Sequence, residues 1–267
     1  MADGSVGGFT ADNYSKVRET FAANLASGAD IGASFCATRE GETVIDLWGG
    51  WADEAKTRPW EKDTIVNVYS TTKTMTALTA LLLADRGELD FDAPVARYWP
   101  EFAAAGKADV KVSHLMSHSA GLSGWKEPIT TEDLYDWEKA TALLAAQAPY
   151  WEPGTASGYH ALTQGYLVGE VVRRITGRSL GTVFRQEIAE PLDADFHIGL
   201  PASEDARVAD LIPPPAGGGI ADGEQGELVA NMSRNPGIDP LATRTRAWRA
   251  AEIPAAGGTG NARSVAE

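Results

Sequence analysis

Hydrophobic and polar residues follow two different periods over the first fifty positions of the chain. Apolar residues first recur at helical spacing, at Tyr14, Val17, Phe21 and Leu25. This spacing predicts an amphipathic helix. Two strand-like runs follow at residues 32–38 and 43–51, and the four residues between them include Gly41. These runs predict an antiparallel hairpin with a glycine-containing turn.

Two longer apolar segments predict helices in the middle of the chain. Residues 70–85 predict a buried helix that ends before Gly87, and residues 161–176 predict a second one that ends at Gly177. Glycine just beyond an apolar run is typical of a helix C-terminus, because glycine adopts the left-handed conformation without strain.

Shorter helices are predicted on either side of the second long segment. One begins at Thr130 or Thr131 and places apolar residues along one face, at Leu134, Trp137, Ala140 and Leu144. Another is capped by Ser179 and terminated by Pro191. Serine caps helix N-termini well, and proline removes a helical hydrogen bond.

The regular pattern fades from Pro201 onward, where the run 213–219 is the strongest loop signal in the chain. Too little patterned sequence follows that run for it to mark a domain boundary. The chain is therefore predicted to divide into three parts. These are a helix with the first strands of an α/β domain over 1–68, a mainly helical region over 69–200 and a loop-rich segment over 201–267.

Composition narrows the class of protein. The 267 residues are 43% hydrophobic and 22% charged, which predicts a folded globular chain. The formal net charge of −14 argues against binding to nucleic acid or to an anionic membrane surface. The single cysteine, Cys36, excludes an intramolecular disulfide. With no signal-peptide pattern and no apolar stretch long enough to span a bilayer, we expect a soluble cytoplasmic protein.

The run Ser-Thr-Thr-Lys at 70–73 carries the clearest candidate chemistry. Ser70 and Lys73 lie three residues apart, so on a helix they share one face. Ser70 would stand at the helix N-terminus, where free N–H groups favour developing negative charge. A lysine whose pKa is lowered by burial can take the serine proton. The alternative is a helix cap with a solvated lysine, but the apolar residues after Lys73 favour a buried helix.

Tyr159 and two histidines each allow two interpretations. Tyr159 follows a Pro-Gly turn and precedes a predicted helix. It is either a packing aromatic or a phenol near cations, whose lowered pKa suits a general base, and residue type alone favours packing. His114 and His118 have the spacing of a zinc pair on a helix, but no third ligand is convincingly placed. Packing roles are therefore favoured for both histidines.

Taken together, these runs resemble the serine β-lactamase and penicillin-binding-protein superfamily, within the branch shared by class C β-lactamases and family VIII carboxylesterases. The matching runs stand in the family's order, namely STTK at 70–73, GELDFDAPVARYWP at 87–100, LMSHSAGL at 115–122 and the run from WEPG at 151–154 to Tyr159. The resemblance implies a β-lactamase-like α/β fold of α+β type. Such a fold has an antiparallel sheet flanked by helices and an all-helical region.

The resemblance also implies roles by position. Ser70 corresponds to the acylated nucleophile, Lys73 to its proton-handling partner, and Tyr159 to the residue that activates the serine and later the deacylating water. The backbone N–H of Ser70 would be one donor of the oxyanion hole. The resemblance implies no cofactor and no metal.

The substrate pocket is less well defined by the sequence. Trp125 and Trp151 either line an acyl pocket or pack in the core, and His160 stands next to the candidate tyrosine. A serine–histidine arrangement through His160 is disfavoured, because Lys73 and Tyr159 already fill the role of the base.

Two departures from the family pattern change the expected activity. Class C β-lactamases have Tyr-x-Asn where this chain has Ala161, and the missing amide would orient the lysine and hold a β-lactam side chain. An esterase is therefore favoured. The superfamily's third motif, a Lys-Thr-Gly or His-Gly-Gly triplet on a strand, is absent, and residues 253–264 resemble the landmark upstream of it. We therefore expect a complementary C-terminal polypeptide segment that carries the remaining sheet strands.

The sequence thus predicts a carboxylesterase-type serine hydrolase that cleaves small carboxylic esters through an acyl-enzyme on Ser70. The same residues leave open acyl transfer, amide hydrolysis and weak β-lactam turnover. A catalytically inactive binding member of the family is a further alternative, because the third motif is missing. The expected partner is a small-molecule ester, and the sequence does not determine the oligomeric state.

Overall fold

The computed structural model describes residues 5–213 and 226–266. The described strands are β1 (Gly7–Thr10), β2 (Gly32–Arg39), β3 (Glu42–Gly50), β4 (Val66–Asn67), β5 (Phe196–His197) and β6 (Thr259–Gly260). The described α-helices are α1 (Ser15–Ser27), α2 (Thr72–Asp85), α3 (Val112–Met116), α4 (Trp137–Ala146), α5 (Thr163–Thr176), α6 (Leu180–Phe184), α7 (Glu227–Arg234), α8 (Arg246–Ala250) and α9 (Ala262–Ala266). Most of the run 213–219, predicted above as a loop, lies outside the described residues.

The strands form two small antiparallel sheets, in the orders β1-β3-β2 and β4-β6-β5. The predicted hairpin is confirmed, since β2 pairs with β3 from Gly32 opposite Gly50 to Arg39 opposite Glu42. β2 stands at an edge of its sheet, and among the described strands none pairs with its outer side. The arrangement of antiparallel strands flanked by helices is the predicted α+β type.

β1 is a strand that the hydrophobic pattern missed. It pairs antiparallel with β3, with Gly8 opposite Leu47. Gly8 has a φ of +87°, and a Cβ atom there would lie 1.9 Å from the carbonyl oxygen of Asp46. The strand thus depends on close backbone approach and not on alternating apolar side chains, so its sequence carries no strand period.

The predicted helix from Thr130 is wrong as a single element. A 3-10 turn at Glu132–Tyr135 ends at Asp136, which is extended, and α4 begins at the next residue. The carboxylate of Asp136 accepts a hydrogen bond from the N–H of Lys139 at 3.0 Å. This side-chain cap satisfies a free N–H at a new helix start, so the chain can turn without losing a hydrogen bond.

The main core lies in the helical part, around α2, α4, α5 and α6, and includes the fully buried side chains of Trp99, Phe102, Trp125, Tyr166 and Phe184. α2 packs only part of its surface there. It buries Met75, Ala80 and Leu83, whereas Leu78 and Leu81 are 42% and 52% exposed. The helix predicted as buried therefore leaves one apolar stripe open. No helix among the described residues is long and apolar enough to cross a membrane.

A fully buried lysine fixes the end of α4. The ammonium of Lys107 donates to the carbonyl oxygens of Ala104 at 2.8 Å, Ala145 at 2.9 Å and Gln147 at 2.5 Å. Carbonyls in the last turn of a helix have no helical N–H partner, so the ammonium serves as the cap. Because the chain continues from Gln147 towards Tyr159, this contact also anchors the segment that carries the candidate base.

We expect Lys107→Met to lower the free energy of unfolding by about 3 kcal/mol, because buried carbonyl oxygens lose their donor. Urea denaturation followed by tryptophan fluorescence measures the change. Lys62→Met is the control, since Lys62 is exposed, and its effect should stay within about 0.5 kcal/mol. Equal denaturation midpoints for the two variants would show that Lys107 is not the cap.

Candidate active site

The candidate nucleophile stands in a tight turn at the start of α2. A 3-10 turn at Tyr69–Thr71 leads directly into the helix and leaves Ser70 exposed. Tyr69 has a φ of +44°, a conformation that is costly for a residue with a Cβ atom. The hydroxyl of Thr72 donates to the carbonyl of Tyr69 at 2.5 Å and accepts the N–H of Gly258 at 2.8 Å. These two bonds hold the turn, so the serine hydroxyl is presented at the helix N-terminus.

Lys73 is held beside this hydroxyl by backbone carbonyls. Its ammonium lies 3.3 Å from Ser70 Oγ and donates to the carbonyl oxygens of Ala161 at 2.7 Å and Ala255 at 2.8 Å. Burial lowers the pKa of Lys73, and the neighbouring Tyr159 only partly opposes that effect. The lysine is thus fixed in position while its proton is made easier to lose.

Tyr159 contacts the same serine from the loop that precedes α5. Its hydroxyl donates to Ser70 Oγ at 2.8 Å, and the ammonium of Lys73 lies 4.9 Å from the centre of its ring. Burial raises the pKa of Tyr159, but the hydrogen bonds with Ser70 and Lys73 and the lysine's charge outweigh burial and hold the pKa below its ordinary value. Ser70 Oγ therefore lies within hydrogen-bond reach of an amine and a phenol, and either group can take its proton once that group is deprotonated.

His160 lies in the interior, beneath the tyrosine. It is fully buried, its Nε2 accepts the N–H of Leu122 at 3.1 Å, and its Nδ1 donates to the carbonyl of Gly158 at 2.5 Å. Burial lowers the pKa of His160 to about 4, so the ring is neutral at physiological pH. Both ring nitrogens are engaged with the backbone. This geometry supports a packing role and leaves no nitrogen free to act as a base.

The two tryptophans take different places. Trp125 is 1% exposed, donates from Nε1 to the carbonyl of Ala140 at 3.0 Å and packs edge-on against Tyr166. It is therefore part of the core. Trp151 is half-buried, and its ring lies so close to Gly158 that a Cβ atom there would approach it to 2.5 Å. Trp151 thus supports the backbone next to Tyr159.

The carbonyl contacts of Lys73 are a part of the site that sequence reasoning missed. The sequence identifies residues 253–264 only as a landmark, yet the carbonyl of Ala255 binds the lysine and that of Pro254 accepts the hydroxyl of Thr76 at 2.6 Å. A Cβ atom on Gly165 would lie 2.4 Å from Ala255 N, so glycine is needed where α5 meets this segment. Backbone acceptors leave no side-chain signature. The only signal was the run of small residues from 255 to 260.

Comparison with known proteins gives a family match over most of the chain. The sequence profile of the family described as Beta-lactamase matches residues 17–267. The chain is 40% identical over 245 residues to Esterase/beta-lactamase LipL of Mycobacterium tuberculosis, covering 88% of this chain and 57% of that protein. It is 30% identical over 224 residues to Esterase EstB of Burkholderia gladioli, covering 72% of this chain and 56% of that protein.

Solved structures agree with these relatives. The crystal structure of a family VIII carboxylesterase matches with a TM-score of 0.90 and 49% identity, covering 96% of this chain and 68% of that chain. The chain spans little more than half the length of the two curated relatives.

We expect Lys73→Met to raise the pKa of Tyr159, because the variant removes a positive charge and a hydrogen bond that favour the phenolate. Ultraviolet titration of each protein against its own Tyr159→Phe counterpart isolates this phenol from the other tyrosines. Lys111→Met is the control, since Lys111 is exposed and paired with Asp92. An unchanged titration midpoint in Lys73→Met would contradict the coupling.

Proposed function

The chain belongs to the β-lactamase family and has its α/β fold, and we propose that it is a carboxylesterase-type serine hydrolase that cleaves small carboxylic esters through an acyl-enzyme on Ser70. One observation carries this proposal: Ser70 Oγ lies 2.8 Å from the hydroxyl of Tyr159 and 3.3 Å from the ammonium of Lys73. The names Esterase/beta-lactamase LipL and Esterase EstB both include this reaction class, which supports the proposal.

The first half of the reaction uses the opposite pKa shifts of two residues. Burial lowers the pKa of Lys73, and the lysine's charge lowers that of Tyr159, so the two groups come closer in proton affinity. In the form in which one of the two has lost its proton, the pair takes the proton of Ser70 as Oγ attacks the ester carbonyl carbon. The carbonyl electrons move to the oxygen, which the N–H of Ser70 stabilises as one oxyanion donor. The bond between the acyl carbon and the alkoxide oxygen of the ester then breaks. The pair returns the proton to that oxygen, which leaves as an alcohol.

The second half returns the enzyme to its starting state. Water replaces the alcohol, and Tyr159 takes a proton from this water as the water oxygen attacks the acyl carbon. The tetrahedral intermediate then releases the carboxylic acid, and Ser70 Oγ recovers its proton from the same pair. The exposure of Ser70 at the start of α2 supports this step, because water can reach the acyl carbon.

The residue at position 161 favours ester substrates over β-lactams. Ala161 gives its backbone carbonyl to Lys73 at 2.7 Å, which keeps the lysine in place without a side-chain amide. A β-lactam carries an amide side chain that needs a polar partner in the site, and Ala161 has none to offer.

We further propose that the protein includes a complementary segment with additional strands, seated along the outer edge of β2. A cavity of about 850 Å³ lies between β2 and β4 and is lined by apolar residues such as Ile31, Val66 and Ile212. An extended strand seated there would pair with the open edge of β2 and cover this apolar surface.

We expect a fluorophosphonate probe to label Ser70 of the protein, with labelling abolished in Ser70→Ala and slowed at least about 100-fold in Tyr159→Phe. Peptide mass mapping locates the label. Ser157→Ala is the matched control, because this exposed serine lies in the same loop as Tyr159, and it should label at the normal rate. Absence of labelling in the folded protein would refute the proposed enzyme activity.

The intact mass of the labelled species tests the complementary segment. An active species that contains only these 267 residues would refute that proposal.

Turnover of p-nitrophenyl acetate should exceed turnover of nitrocefin, because Ala161 has no side-chain amide to hold a β-lactam side chain. Stopped-flow measurement of the burst and steady state for both substrates gives the ranking. Faster turnover of nitrocefin would reject the ester assignment while leaving Ser70 as the nucleophile.

A further inference from the structure

We propose that His118 is a positioning residue that holds Tyr159 against Ser70, and that it does so only as a neutral imidazole with its proton on Nε2. This inference rests on the proposed function, because its importance depends on Tyr159 acting at Ser70. His118 lies beyond the end of α3 and has a φ of +60°, a conformation that is uncommon for a residue with a side chain. Such strain is retained where the surrounding contacts require it.

The contacts of His118 bracket the tyrosine on both sides. The carbonyl of His118 accepts the N–H of Gly158 at 3.0 Å, and its Nδ1 accepts the N–H of His160 at 3.1 Å. These two partners are the residues immediately before and after Tyr159. The histidine ring also packs against the tyrosine ring, with centroids 5.0 Å apart. One residue therefore fixes the backbone on either side of the phenol and one face of its ring.

The left-handed backbone of His118 explains how a single residue makes both backbone contacts. In that conformation, the carbonyl of His118 accepts the N–H of Gly158 and its ring accepts the N–H of His160. The left-handed region is tolerated by asparagine better than by most other residues. Asparagine also carries a carbonyl oxygen two bonds from Cβ, which can replace Nδ1 as an acceptor.

The bond from His160 requires an unprotonated Nδ1 on His118. A protonated ring would turn an N–H towards the N–H of His160 and lose the bond. It would also place a second cation near Lys73, the charged group that faces His118 from α2. The other titratable neighbours, Tyr159 and His160, face it from the loop before α5. Burial and the charge of Lys73 lower the pKa of His118, which keeps the ring neutral at physiological pH.

Two substitutions separate positioning from simple packing. His118→Ala removes the acceptor, and we expect kcat for p-nitrophenyl acetate to fall about 100-fold with little change in KM, because the base is misplaced. His118→Asn keeps an acceptor, and we expect at least a tenth of the normal kcat at neutral pH. The pKa of Tyr159 should rise in the alanine variant and not in the asparagine variant.

The pH profile gives an independent readout. In the unaltered protein, protonation of His118 should add to the loss of kcat as the pH falls through the pKa of this ring, which lies below the ordinary histidine value. His118→Asn has no group that titrates there, so its kcat should fall less steeply over the same range. His197→Asn is the control, because His197 pairs with Asp195 instead, and its profile should match that of the unaltered protein.

Nitrogen NMR of the histidine rings tests the tautomer directly. The ring of His118 should show an unprotonated Nδ1 and a protonated Nε2 at neutral pH. A proton on Nδ1, or unchanged kcat, pH profile and tyrosine pKa in both His118 variants, would overturn the inference. If the unaltered protein cleaves no ester, the proposed function fails instead, and the tautomer and the tyrosine pKa still decide the role of His118.

Discussion

The position of the Lys73 ammonium is the constraint on which the rest of the site depends. It joins three separate parts of the chain, because it extends from α2 and donates to the carbonyls of Ala161, just before α5, and Ala255, just before β6. Each carbonyl is a fixed backbone dipole, so the lysine is held without a carboxylate that would raise its pKa. The ammonium can thus serve both as an anchor between segments and as a group ready to release its proton.

The same constraint accounts for the electrostatics of the tyrosine. Burial alone would make Tyr159 a weaker acid, and only the nearby lysine and the bond with Ser70 reverse that effect. The geometry must therefore be fixed closely, since these effects fall off with distance. Several features supply that rigidity. Tyr69 and His118 adopt the left-handed backbone conformation, Lys107 is buried at the end of α4, and the ring of Trp151 lies against Gly158.

Sequence patterns predicted the elements that local signals define. The β2–β3 hairpin, α2 and α5 followed from apolar spacing and from glycines at their ends. The patterns failed where backbone contacts decide. β1 is held by pairing with β3 through Gly8, and the helix predicted from Thr130 is broken by the cap at Asp136. Apolar periodicity also did not reveal the open stripe of Leu78 and Leu81 on α2, because burial depends on what the other elements cover.

The sequence by itself determined the residue types of the site and their order, since Ser70, Lys73 and Tyr159 stand in runs that resemble one family. It left the roles of Trp125, Trp151 and His160 open. Only the tertiary structure decided that Trp125 and His160 are buried and that Ala161 and Ala255 hold the lysine. The physical reason is that a backbone carbonyl is the same in every residue. Its contribution to a site depends on where folding places it, which side-chain identity does not record.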